Sequence, residues 1–350
     1  MDALFKGKNM NRKRIVYIDI LRILACFFVI FNHTSGFVEF TNVDGIRQMI
    51  FMYISVITKF AVPAFFMISG YMLLGKEESI IDTYKKRVLR VMFSLIAFSI
   101  MGYCKIIAPI AGYSYKRIIK GILSNNIDGC YPYWYLYSYL AFLIMLPFIR
   151  GIAKSIRDKE YIYMIFLHFV LKTCVCILCS VTDAEITPRF NAAIVTEACI
   201  FYPLVGYWLG NFDIRIVNRK IIILFSVICN ICIGLSMLFT KYMGFQEEAL
   251  STGYVSLFDY VVAIFIFILL KKLLDNRNIP LIIDSISKWG EMTYGIYLLD
   301  PILRSIVIEK IEFYNMGNMI GSMGYCVFAI VVYGTIIYFL KKIPVIKLLF

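Results

Sequence analysis

The sequence predicts an all-α polytopic membrane protein, a bundle of about ten transmembrane helices with both termini cytoplasmic. Three observations predict it. Hydrophobic residues make up 61% of the 350 and charged residues 17%, mean hydropathy is +0.77, and the basic residues gather between apolar runs. A helix crossing ~30 Å of hydrocarbon at ~1.5 Å per residue uses ~20 residues, so an apolar content this high is consumed by about ten crossings. Little chain remains for a water-soluble catalytic domain, a nucleic-acid-binding domain or a large secreted module, and nucleic acid is not an expected partner. The net charge of +13, from 36 Lys+Arg against 23 Asp+Glu, must therefore be explained by the bilayer.

Taken in order, the elements begin with a basic segment carrying Lys6, Lys8, Arg12, Lys13 and Arg14, followed by an apolar run over 15–37. That run is too long for a signal-peptide core and has no small-residue cleavage site, so it reads as an uncleaved first helix entered from the inside. Further runs of spanning length lie at about 50–74, 88–109, 133–149, 161–181, 193–210, 221–240, 257–273, 292–310 and 320–340. Numbered from an internal N-terminus, the inner segments hold 24 of the Lys and Arg residues and the outer ones 7, including Arg189. The other five, Arg22, Lys59, Lys105, Lys172 and Arg304, fall inside runs. This bias is the positive-inside pattern, and a missed odd span would invert it downstream. The longest connections, about 110–132 and 271–291, are too short to fold alone, so a single integral membrane domain over 1–350 is expected. The predicted location is the cell membrane, multi-pass.

The ten cysteines lie mostly in apolar runs, and the Cys176/Cys179 and Cys229/Cys232 pairs fall within spans rather than on a redox-active turn. They read as small buried side chains, with Cys130 alone in an external loop. Metal-ligand spacing is absent, with only His33 and His168 to supply imidazole, so no metal is expected.

A charge near the bilayer centre costs about 2.5–3.5 kcal/mol on insertion scales, so buried ionisable residues ask for a reason. In the first run Asp19 and Arg22 are three apart, on neighbouring turns of one face, and Arg22 and His33 are eleven apart, which is three turns plus ~20°. All three thus share a face. Two readings stay open: an ion pair that locks the helix with an interfacial histidine above it, or a polar cavity with an anion-binding group at one depth and a general base at another. Pro63, Ser69, Gly70 and Tyr71 mark either a kink beside a cavity or ordinary small-residue packing. Arg87 and Arg90 form either a phosphate-binding pair or a topogenic cluster. The cluster Tyr131-Pro132-Tyr133-Trp134-Tyr135-Leu136-Tyr137 is an interfacial belt or a stacking platform for sugar rings. Asp300 and Arg304, four apart in the ninth run, are spaced as an ion pair, whereas Lys59, Lys105, Lys172, His168 and Asp259 have no assignable role.

Five stretches in this order carry a resemblance: Ile18-Asp19-Ile20-Leu21-Arg22 with His33, Val62-Pro63-Ala64-Phe65-Phe66-Met67-Ile68-Ser69-Gly70-Tyr71, Lys86-Arg87 with Arg90, Tyr133-Trp134-Tyr135-Leu136, and Thr293-Tyr294-Gly295-Ile296-Tyr297-Leu298. Together they resemble the membrane acyltransferase-3 family over nearly the whole chain. The resemblance implies a ten-helix enzyme moving an acyl group, commonly acetyl from acetyl-CoA, onto a hydroxyl of a cell-surface glycan or its lipid-linked precursor. On it, His33, Arg22 and Asp19 are catalytic candidates. Arg87, Arg90, Ser69 and Tyr71 would bind the acyl-CoA donor, and Trp134, Tyr135 and Tyr294 the acceptor. The chain departs from the family pattern at Asp300, where His or another polar residue is common, and at Val91-Met92-Phe93, where a proline usually follows the basic cluster. A transporter of a polysaccharide or small metabolite is the rival class; it would also need buried charges and an aromatic mouth, but no inverted repeat with paired interrupted spans is visible.

Overall fold

The computed structural model describes residues 15–126, 130–182, 184, 192–243, 254–275, 280–310, 318–347 and 349–350. The expected basic N-terminal segment (Lys6 to Arg14) and Arg189 lie outside them, as do parts of the two longest connections. The described residues are all-helical, without strands. Every apolar run forms helix: α1 Val16–Asn32, α2 Gly45–Thr58, α3 Ala61–Leu73, α4 Ile80–Ile107, α5 Tyr115–Leu123, α6 Trp134–Ser155, α7 Asp158–Thr182, α8 Ala198–Asn211, α9 Arg219–Tyr242, α10 Asp259–Leu274, α11 Pro280–Lys310 and α12 Met319–Leu340.

Six segments are long and apolar enough to cross a membrane, and a seventh if α1 and the 3₁₀ turn Ser35–Thr41, bent by 63° from each other, count as one span. This is fewer than the ten runs predicted, for two reasons. The α2 and α3 helices continue as one 29-residue span, as their single run implies, but α8 and α10 have only 14 and 16 residues. In α11 every 18-residue stretch carries at least three charged residues, drawn from Asp284, Lys288, Glu291, Asp300, Arg304, Glu309 and Lys310.

Helix α1 is central, packing against α2, α3, α10, α11 and α12, with Leu21, Ala25, Ile30 and Phe31 fully enclosed. It ends at His33, whose backbone N–H donates to the Ile30 carbonyl while that of Thr34 donates to Phe31, and the chain turns away where Gly36 meets Ser322 of α12 so closely that a Cβ would lie 2.2 Å from its Oγ. The tightest crossing is α3 on α8. A Cβ on Gly70 would fall 1.9 Å from the Pro203 carbonyl oxygen, and one on Gly206 2.1 Å from that of Met67, so the backbones touch through small residues. By contrast, α7 and α9 bury only 17% of their apolar windows and present Ile162, Phe166, Leu224 and Leu238 outward, as helices at a lipid-facing periphery do.

All ten cysteines are free. The burial expected of those other than Cys130 holds at Cys26, Cys229 and Cys326, whereas Cys104, Cys176, Cys179, Cys199 and Cys232 are half-buried and Cys174 is exposed, because their helices turn these faces outward; Cys130 packs beneath Gly102 at 2% exposure instead of standing in an open loop.

Candidate active site

A cavity of about 480 Å³ opens among five elements. From α1 it receives Arg22, Val29 and His33, from α3 Phe65 and Ser69, and from α4 Lys86, Arg87 and Arg90. The entry of α6 adds Trp134, Tyr135 and Tyr139, and α11 adds Glu291, Thr293, Tyr294 and Tyr297. Arg22 and His33 therefore face one space, as eleven residues of α-helix require.

Asp19 does not reach the cavity wall. Its Oδ1 lies 3.0 Å from Arg22 Nη1, and its Oδ2 accepts a 2.8 Å hydrogen bond from Ser287 of α11. Gly290 lets α11 approach, since a Cβ there would sit 2.9 Å from the same carboxylate. The buried acid thus gains two partners and aims the guanidinium, which supplies the ion pair of the first sequence reading and is compatible with the polar cavity of the second.

His33 presents its Nδ1 to Asp300 Oδ2 at 3.5 Å, and Arg304 Nη1 donates to the His33 backbone carbonyl at 2.6 Å. Asp300 is 1% exposed; its Oδ1 accepts from the Tyr325 hydroxyl at 2.9 Å, and its Oδ2 lies 3.6 Å from Arg304, so the expected Asp300–Arg304 pair forms.

The basic group at the other side of the cavity is organised by an acid that the sequence did not single out. Glu78, between α3 and α4, takes Arg87 through both oxygens at 2.6 and 3.1 Å and Arg150 of α6 at 2.9 Å, while Arg150 also donates to the carbonyls of Leu73 and Glu78. Hydrogen bonds from Arg87, then from Arg150, hold the Glu78 carboxyl down at about 2. Arg87 is therefore engaged, and the expected Arg87/Arg90 pair is unequal: Arg90 makes no ion pair among the described residues, and Lys86 pairs with Asp82 at 3.1 Å. A wider π-turn over Tyr84–Val88 precedes Arg90, an irregularity frequent at functional sites.

The aromatic cluster divides. Tyr133 is core, its hydroxyl donating to the Leu298 carbonyl at 2.7 Å, while Tyr297 returns a bond to the Pro132 carbonyl at 2.6 Å. Tyr135 stacks on Tyr139 at 5.7 Å with planes 10° apart, and these rings with Trp134 make a cavity wall instead of a belt. Tyr139 was legible as the residue four beyond Tyr135. Tyr294 and Ser69 line the cavity, and the Ser69 hydroxyl donates to the Phe65 carbonyl. Tyr71 does not line it; the ring packs against Tyr17 and over Gly210.

Four of the five residues without a sequence role, Lys59, Lys172, His168 and Asp259, find structural ones. Lys172 of α7 lies 3.4 Å from Asp259 of α10, which also accepts from the Tyr202 hydroxyl of α8 at 2.9 Å. His168 stacks on Phe201 at 3.8 Å with its Nδ1 2.6 Å from the Val195 carbonyl, and Lys59 sits 4.0 Å over the Phe37 ring. No metal-binding group of three or more His, Cys, Asp or Glu occurs among the described residues.

A family model described as an acyltransferase domain matches residues 15–339, nearly the whole chain. No curated protein and no solved structure matches it.

Proposed function

The chain belongs to the acyltransferase-3 family and is a membrane acyltransferase; from that premise we propose that it moves an acetyl group from acetyl-CoA to a hydroxyl of a cell-surface polysaccharide or lipid-linked glycan precursor. The observation that carries the reading is the single cavity shared by Arg22, His33, the Arg87/Arg90 group and the Trp134–Tyr135 wall. In the proposed arrangement ten helices cross the cell membrane with both termini cytoplasmic, as the 24-to-7 distribution of Lys and Arg supports. Arg90 and its basic neighbours hold the CoA phosphates, because guanidinium groups match phosphate oxygens bidentately. Arg22, fixed by Asp19, meets the donor further in.

His33 acts as general base. The acceptor oxygen attacks the thioester carbonyl carbon, a C–O bond forms as the C–S bond breaks, and the hydroxyl proton passes to the imidazole and on to the departing thiolate. The flat Tyr135 and Trp134 faces suit a sugar ring, and Tyr294 stands beside them.

The test is mass spectrometry of surface glycans from cells making the wild-type chain or His33→Ala. Loss of one acyl increment per modified unit, with the variant accumulating normally in membranes, is the expected outcome; unchanged glycans remove the assignment. Acetyl-CoA should raise the melting temperature of the purified chain and fail to do so for Arg90→Ala. Absence of any CoA effect together with glycan flux across vesicles would favour a transporter.

A further inference from the structure

We infer that Asp300 is the positioning residue for His33, holding the imidazole as the Nδ1–H tautomer so that Nε2 is the bare nitrogen turned to the cavity. The chemistry this serves rests on the acyl-transfer reading; the tautomer itself does not.

The two residues are 267 positions apart and come from different helices, yet Nδ1 and Oδ2 face each other at 3.5 Å, and neither atom has a hydrogen bond of its own among the described residues. A carboxylate oxygen accepts and does not donate, so the nitrogen that faces it must carry the proton. Asp300 cannot turn away. Its other oxygen is held by Tyr325, whose hydroxyl is 3.0 Å from that of Tyr333, and Arg304 stands one turn further along α11 to balance its charge. Arg304 also grips the His33 carbonyl, so one guanidinium registers both members of the pair. His33 meanwhile lines the cavity. With Nδ1 committed to α11, the remaining nitrogen is the one left for an acceptor hydroxyl.

The 3.5 Å separation exceeds the ~2.7–3.2 Å of an N–H···O bond. Catalytic hydrogen bonds often tighten only when substrate is present. As the acceptor proton reaches Nε2, an imidazolium forms opposite the buried carboxylate. When that proton leaves with the thiolate, His33 returns to the neutral Nδ1–H form, and Asp300 neither gains nor loses a proton in the cycle.

The chain has two histidines, so the full-length protein labelled with ¹⁵N-histidine gives two rings by NMR, and His168→Asn leaves only His33. The expected spectrum shows a protonated Nδ1 and a bare Nε2 for His33, and the Nε2–H form rising in Asp300→Leu. In membranes from cells making the full chain and supplied with radiolabelled acetyl-CoA, Asp300→Asn should lower kcat by about 10²–10⁴-fold, by analogy with carboxylates that orient a catalytic histidine. KM for acetyl-CoA should change less than about twofold, because no donor contact is removed, and Asp300→Glu should recover part of the rate. A wild-type His33 in the Nε2–H form overturns the inference without any variant having to fold, and so does an unchanged kcat in a folded Asp300→Asn. Transfer that survives His33→Ala would instead overturn the acyl-transfer assignment of His33 while the tautomer stands.

Discussion

Arg87 is tied through two nitrogens to Glu78, and the same carboxylate holds Arg150 of α6. The pair closes the chain between α3 and α4 onto the cavity's basic side. The Glu78 pKa lies below the ordinary 4.5, at about 2, so the ionised form is favoured in the folded chain. Its contribution is complete above about 4.5 and is lost as pH falls from there toward 2. Partial exposure keeps it small, on the order of 1 kcal/mol or less, which is roughly 1–4 °C in melting temperature. Differential scanning fluorimetry should show Glu78→Gln lower than wild type by about that amount at pH 7, with the gap closing as pH falls through this window. A gap that does not depend on pH would refute the ion-pair account.

Asp19 supports Arg22 from outside the cavity, with Ser287 completing its coordination. Asp19→Asn keeps the shape and removes the charge, so Arg22 is released to swing. Loss of about 1–2 kcal/mol of positioning corresponds to roughly five- to thirtyfold in rate. Acyl transfer in membranes should drop by that factor with the amount of folded protein unchanged, and Ser287→Ala should give a smaller drop in the same direction. Wild-type transfer in Asp19→Asn would show that Arg22 needs no support.

The crossing of α3 and α8 leaves no room for a methyl group. Gly206→Ala would force a carbon to 2.1 Å from the Met67 carbonyl oxygen, and overpacking of this kind costs about 1–3 kcal/mol or more. Because α3 lines the cavity with Phe65 and Ser69, both stability and transfer should fall. Gly151→Ala and Gly234→Ala, where nothing lies within 4 Å, are the controls and should behave as wild type in size-exclusion profiles of purified protein.

Much of this site was readable because it follows helical period. Asp19, Arg22 and His33 lie on one helix, and 3.6 residues per turn places them on one face without knowledge of any neighbour. The same holds for Arg87 with Arg90, and for Tyr135 with Tyr139. What the sequence could not disclose are contacts between distant elements. Glu78 meets Arg150 across 72 residues and His33 meets Asp300 across 267, and no local pattern encodes such a meeting. Tyr71 shows the complementary error. It is two residues from Ser69, which on a helix is ~200° around, so membership in the same motif did not put both on the cavity. Hydropathy alone undercounts α11 partly for a functional reason, since two of the charges that lower its mean hydropathy, Asp300 and Arg304, frame His33.

The end of α8 depends on a lysine from another helix. Lys271 of α10 is 5% exposed and donates to the carbonyls of Leu209, Gly210 and Phe212 at 2.9, 2.7 and 2.8 Å. The last carbonyls of a helix have no partner within it, and here a buried ammonium supplies three bonds at once. Lys271→Met keeps the length of the side chain and removes every donor, leaving those oxygens without compensation. Hydrogen bonds to charged groups contribute about 1.5–3 kcal/mol, so a loss of roughly 2–4 kcal/mol and a melting temperature lower by about 4–12 °C are expected. Neighbouring Lys272 reaches one carbonyl, that of Ile214, at 3.2 Å, and Lys272→Met should move the melting temperature by less than about 3 °C. Equal effects of the two substitutions would mean that charge near this end of α8, and not the three-fold cap, is what matters. A selective effect of Lys271→Met would make α8, and through its contact with α3 the cavity wall, dependent on a cation buried outside the site.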